Sequence, residues 1–142
     1  MMEFDTNNTI IKICAQGMDC EGAGKPEEAS RLFVQAWRKA ASDTEKFISA
    51  HYVARHQKGV ADKLRWDQIA LAHAQKVTDK SVKAVYPSLY LNIAKCYEDL
   101  KDFDNARKNY QQAWSFVSHL SDDGHGKMIK SGITSGLERV KK

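Results

Sequence analysis

The sequence predicts an all-α protein, a stack of three antiparallel helix pairs closed by a C-terminal capping helix. Three observations carry that expectation. Only two prolines and eight glycines interrupt 142 residues rich in Ala, Lys, Glu and Gln, which lose little on entering a helix. No window shows the sustained period-two alternation that a half-buried strand needs. The stretch PEEASRLFVQAW, Pro26 to Trp37, returns in changed lettering as FDNARKNYQQAW, Phe103 to Trp114, so one helix face is written twice.

The helices follow in order from apolar stripes and stop signals. From about Thr6 to Glu21, Ile10, Ile13, Cys14 and Met18 fall at helical spacing, and GAG at residues 22–24 ends the run. Pro26 opens the second helix, where its missing N–H costs nothing. Glu27 and Glu28 complement the dipole of its first turn, and Ala29, Leu32, Phe33, Ala36, Trp37 and Ala40 form its buried stripe. SDT at residues 42–44 caps a third helix carrying Phe47, Ile48, Ala50, Val53 and Ala54 to about Gln57, and KGVAD breaks it.

The fourth helix, about Asp62 to Val77, carries Leu64, Ile69, Ala70 and Ala74, with Trp66 near its start. In the fifth, Leu89, Ile93, Tyr97 and Leu100 share one face from Pro87 onward. Pro87 would kink a continuous helix, so Ser81 to Tyr86 stays unassigned. The sixth runs from Phe103 to about His119. After SDDGHG, a seventh from about Lys127 to Val140 aligns Ile129, Ile133, Leu137 and Val140, with Gly132 and Gly136 weakening it.

The chain length suits one domain, residues 1–142, able to bury roughly 68–70% of its unfolded surface without staples. Helix pairs are expected at about residues 6–41, 43–78 and 81–119, with the capping helix at about 124–141. Cys14, Cys20 and Cys96 show neither zinc nor redox spacing nor the density of a secreted framework, which indicates a reducing cytosol. MMEFDTNNTIIKIC has acids and amides where a signal peptide needs positive charge, and no apolar run reaches membrane-spanning length. The expected localisation is cytoplasmic, with no membrane partner. Most of the net charge of +4 lies near the C-terminus in Lys127, Lys130, Arg139, Lys141 and Lys142, a mild tilt that is only weak evidence for nucleic acid, so a nucleic-acid partner is not expected.

Ala29, Phe33, Ala36 and Trp37 map onto Ala106, Tyr110, Ala113 and Trp114 by one shift of 77 positions. Small residues let a neighbouring helix approach closely, and the ring fills the space between them. Trp37 and Trp114, beside those small residues, are expected to pack.

Here the chain resembles the tetratricopeptide repeat (TPR) family. In YLNIAKCYEDLKDFDNARKNYQQAW, Tyr90, Ile93, Ala94, Tyr97, Leu100, Phe103, Ala106, Tyr110 and Ala113 stand at the family's signature positions. Ile13, Gly17, Gly24, Ala29, Phe33 and Ala36 match more loosely in the first pair, and the middle pair departs, with His51 where a small residue is usual. Two repeats of ~34 residues would separate the motifs by about 68, so roughly nine residues are extra. They are placed around RHQKGVADK and TDKSVKAVYP. The resemblance implies a TPR-like α-solenoid with a superhelical twist, its last helix covering the exposed apolar end.

It also implies a non-enzymatic interaction module whose concave groove, lined by the first helix of each pair, binds a peptide or protein segment. Carried over by position, the groove would show Cys14 and Met18, then Ile48, Tyr52, Arg55 and His56, then Ser88, Leu91, Asn92, Lys95 and Asp99. The family's carboxylate clamp of lysines, asparagines and arginine is kept only at Asn92, so binding of chaperone C-terminal tails is not expected. Tyr52, Arg55, His56, Asn92, Lys95 and Asp99 are the candidate binding residues, with Arg55 and Lys95 suited to an acidic ligand. Their plainer reading is ordinary solvated surface.

No metal, cofactor or catalysis is expected. His51 and His56 are five apart on a helix and face different ways, and no phosphate loop, nucleophile elbow or Cys–His context is present. Two alternatives stand beside the interaction module: a self-associating dimeric scaffold, and a weak RNA binder using the basic C-terminal helix, whose signature would be steep salt dependence.

Overall fold

A computed structural model describes residues 7–141, all helices and connections with no strand among them. The expected helix start at Thr6, the signal-peptide reading of the first six residues, and Lys142 of the basic cluster lie outside the described residues. The chain divides into two compact units, one of the described residues up to Val77 and one from Thr78 onward.

In the amino-terminal unit, α1 spans Thr9–Gly22. It starts at Asn8, whose side chain accepts hydrogen bonds from the Ile10 and Ile11 amides at 2.8 and 3.1 Å. Beyond its C-cap Ala23, Gly24 adopts the left-handed φ of 75°, and the Lys25 amide then returns to the Cys20 carbonyl at 2.8 Å. Helix α2, Pro26–Lys39, begins at its proline and buries Ala29, Phe33 and Ala36 completely, while Arg38 and Lys39 oppose the dipole of its last turn.

Helix α3, Asp43–Arg55, opens on a capping box in which Ser42 and Glu45 satisfy each other's backbone amides. Glu45 also accepts from Nδ2 of the Asn8 side chain at 2.8 Å, so the starts of α1 and α3 are tied, and this bond is the main cause that holds the Glu45 carboxyl below its usual pKa. Helix α4, Val60–Ala74, starts two residues earlier than the sequence indicates, because Gly59 supplies the extended turn before it and nothing in VAD opposes helix.

In the carboxy-terminal unit, the unassigned stretch is a 3₁₀ helix, Lys80–Ala84, capped by the Asp79 side chain. Helix α5, Tyr86–Asp99, follows with Pro87 in its first turn, so the proline starts the helix and does not kink it. Helix α6 spans Phe103–Ser115, and the expected continuation to His119 is a separate 3₁₀ turn, Val117–His119. Helix α7, Gly124–Arg139, starts within SDDGHG, where the Asp123 side chain caps it through the Gly126 amide at 2.9 Å.

Both units bury a ring against a glycine. In the first, the Phe33 ring lies so close to Gly17 that a Cβ there would sit 2.5 Å from Cε1. In the second, a Cβ on Gly136 would sit 2.2 Å from Cε1 of Tyr110. Around Tyr110 pack Ala94, Ala106 and Val140, and beside them Ala113, Ile129 and Ile133 form a second apolar cluster with Tyr90, Leu91 and Leu137. The two tryptophans part company. Trp37 is half-buried against Trp66 of α4, ring centroids 5.2 Å apart at 89°, whereas Trp114 is 42% exposed, which corrects the expectation that it packs. Packing needs a covering helix, and Lys130 of α7, 5.7 Å from the ring centroid, leaves much of the indole open.

Candidate functional site

Tyr52 and Arg55 stand three apart on α3, and His56, its C-cap residue, joins them on the same side. Phe33 of α2 lies beneath them. Its ring stacks on Tyr52 with centroids 4.9 Å apart at 13° and on His56 at 5.5 Å. The Arg55 guanidinium sits over the Tyr52 ring at 5.0 Å, an attraction of cation to ring quadrupole. Glu21, at the end of α1, closes the group: Oε1 accepts from Arg55 Nη1 at 3.1 Å, and Oε2 lies 2.7 Å from His56 Nε2. Burial is the leading cause that raises the Tyr52 phenol above its ordinary pKa.

Arg55 is nevertheless about half exposed, and a guanidinium with five N–H donors keeps several for a further acceptor. Met18, on α1, is also open to solvent. Cys14 and Ile48 are not: both are buried, which corrects their placement on a binding surface, and burial pushes the Cys14 thiol up to about 11. The helical stripe that put them beside Met18 and Tyr52 points them into the core.

In the carboxy-terminal unit, Asn92, Lys95 and Asp99 run along one edge of α5, and Lys95 donates to Asp99 at 2.5 Å. Both of those groups are largely exposed, so the pair is screened and adds little to stability. Asn92 and Ser88 are half-buried. Leu91 turns to α7 instead, its Cδ2 3.1 Å from where a Cβ on Gly132 would stand.

Sequence reasoning missed Glu21 and its counterpart Glu98. Glu98 accepts from Tyr110 Oη at 2.6 Å and from Arg139 Nε at 2.8 Å, as Glu21 accepts from Arg55. The signal was present, since Glu21 maps onto Glu98 by the shift that relates Phe33 to Tyr110. His51 was seen as unusual, and it is: the ring is half-buried and its Nδ1 is sealed from solvent with no hydrogen-bond partner among the described residues.

Among the described residues, no three His, Cys, Asp or Glu side chains gather so as to hold a metal ion, and no helix is long and apolar enough to cross a membrane.

Among solved structures, the chain is similar to PcrH in complex with the chaperone binding region of PopD. The TM-score is 0.69 and the identity 17%, over 99% of this chain and 96% of that one. PcrH from Pseudomonas aeruginosa, in a second structure, gives a TM-score of 0.61 at 17% identity over the same shares. No protein-family model matches the sequence. No curated protein matches it. The likeness is one of fold, and the fold is all-helical and TPR-like.

Proposed function

We propose that the chain is a TPR-family interaction module, not an enzyme, that takes up a segment of another protein in the cytosol. The fold likeness to PcrH, solved with the chaperone binding region of PopD, is the observation that carries this reading. The α3 face supports it with suitable chemistry. Tyr52 and the exposed Met18 of α1 offer apolar contact, and the spare donors of Arg55 suit a carboxylate or backbone carbonyl of a bound segment. The edge of α5 with Asn92, Lys95 and Asp99 is a second candidate surface, where the Asn92 amide can pair with the backbone of an extended chain.

Affinity capture tests the reading, with bound proteins identified by mass spectrometry and compared between the native chain and a Met18→Glu, Asn92→Ala double variant. A partner held by the native chain and lost from the variant, with unchanged helical circular dichroism, is the expected result. A partner set indifferent to both substitutions would contradict the proposed surfaces.

A further inference from the structure

Trp37 and Trp114 hold matching positions 77 apart, but only one of them is covered. On α2, Trp37 meets Trp66 of α4 edge to face at 5.2 Å and His73 of α4 at 5.9 Å. On α6, Trp114 is 42% exposed and meets Lys130 of α7 at 5.7 Å. Helix α7 corresponds to α3, since Arg139 and Arg55 reach the matching carboxylates Glu98 and Glu21. Among the described residues of the carboxy-terminal unit, no helix takes the place beside Trp114 that α4 takes beside Trp37. Trp114 instead lines a groove of about 400 Å³ between α6 and α7, together with Arg107, Thr134, Leu137, Glu138 and Lys141.

We propose that this groove docks an amphipathic helix of a partner protein, which lays an aromatic side chain against Trp114 as Trp66 lies against Trp37 and carries acidic residues along its flanks. The volume suits one or two side chains of a helix lying across the groove, since a whole helix is about 10–12 Å wide. The edge sets the charge. Lys141 and Arg107 line the groove against the single carboxylate of Glu138, Lys130 adds its charge over the Trp114 ring, and neither lysine has a carboxylate partner among the described residues. Arg107 is fixed in place by the Val140 carbonyl at 2.9 and 3.1 Å and by Asp104 at 3.1 Å, so it frames the groove with a partly neutralised charge. A second copy of this chain fits poorly, because it carries a net charge of +4 and already uses the aromatic side of its α4 on Trp37. Nucleic acid fits less well than protein, because Trp114 and Leu137 are apolar lining and the Glu138 carboxylate would repel phosphate.

The test is an NMR titration of the full ¹⁵N-labelled chain with a synthetic peptide of its own residues 59–77 carrying Lys63→Glu, Arg65→Glu and Lys76→Glu. This probe keeps Trp66 and His73 and makes the flanks acidic. The expected result is saturable shifts at the Trp114 indole N–H and the Thr134 and Leu137 amides. The affinity read from the Thr134 and Leu137 amides should weaken about tenfold in Trp114→Ala and in a Lys130→Glu, Lys141→Glu variant, and persist in Met18→Glu. Both variants alter exposed side chains, so loss of the fold is not the expected cause. The proposal is overturned if the peptide does not bind, if its shifts map elsewhere or ignore Trp114→Ala, or if an oligouridine gives the same shifts. It is equally overturned if the Trp114 signals move with concentration of the chain alone, which would make a second copy the occupant.

Discussion

Glu98 accepts two nitrogens of Arg139, at 2.8 and 3.1 Å, and the Tyr110 hydroxyl also donates to it at 2.6 Å. One largely buried carboxylate thereby ties α5 to both α6 and α7. Seventy-seven positions earlier, Glu21 takes Arg55 of α3 and its C-cap residue His56, at the end of the first helix of its pair. The repeat is thus a repeat of connections as well as of packing: each first helix grips the helix that follows its pair.

Removing that grip should be costly. Glu98→Gln leaves the shape and takes the charge, and unfolding in urea should show a loss of about 1–3 kcal/mol. Arg139, and after it Tyr110, hold the Glu98 carboxyl below its ordinary value of 4.5. Its contribution is therefore complete above pH 4.5 and is lost as pH falls through the lower folded value. The variant should show a flatter acid limb below that point. An unchanged acid limb would mean that the carboxylate is not gripped in solution.

The ring-on-glycine contacts give a second expectation. A methyl group at Gly136 or Gly17 would collide with Tyr110 or Phe33, each fully buried, so Gly136→Ala and Gly17→Ala should each destabilise by about 1–3 kcal/mol. A helix-interior glycine elsewhere would gain on the same change, which makes the sign diagnostic. Thermal melts of the two variants check it.

Lys101 stands where the first pair has Gly24, and it adopts the same left-handed backbone with φ of 65°; the Asp102 amide behind it returns to the Tyr97 carbonyl at 2.9 Å. A side chain in that conformation is strained. Lys101→Gly should raise stability by about 1 kcal/mol, read as a higher urea midpoint at unchanged slope.

His51 supplies a pH dependence of its own. Burial, then the nearby charges of Arg55 and Lys63, push its pKa from 6.5 down to about 4. The unfolded chain binds a proton that the folded chain refuses, so stability falls as pH drops from about 6.5 to about 4. The loss should be on the order of 1–3 kcal/mol, because the ring is only half-buried and solvent softens the effect. His51→Leu should flatten that window while leaving the Glu98 limb below it.

Much of the fold was legible because local signals and core packing agreed. Pro26, the Ser42 capping box and the Ala–ring–Ala stripe each name a helix end or a buried face, and Phe33, Tyr110 and their flanking alanines are fully buried. Position along a helix does not say what covers a face. Cys14 and Ile48 share a stripe with exposed neighbours yet lie inside, and Trp114 repeats Trp37 without a helix like α4 to cover it. Glu21 and Glu98 sit at helix ends, where a charge is usually solvated, and only the common shift of 77 marked them as partners. Of the six candidate binding residues, the side chains of Tyr52, Arg55 and His56 do gather on one aromatic face, while Lys95 and Asp99 spend their charges on each other.

The central proposal is that this chain holds a segment of another protein against Tyr52 and the exposed Met18. Photo-crosslinking from a benzophenone amino acid placed at position 18, with Lys108 on the exposed side of α6 as control position, tests it most directly. The account predicts adducts from position 18 that mass spectrometry traces to one short stretch of a partner, and none from position 108. Adducts from position 108 alone, or from neither position in an extract of the native cells, would contradict it.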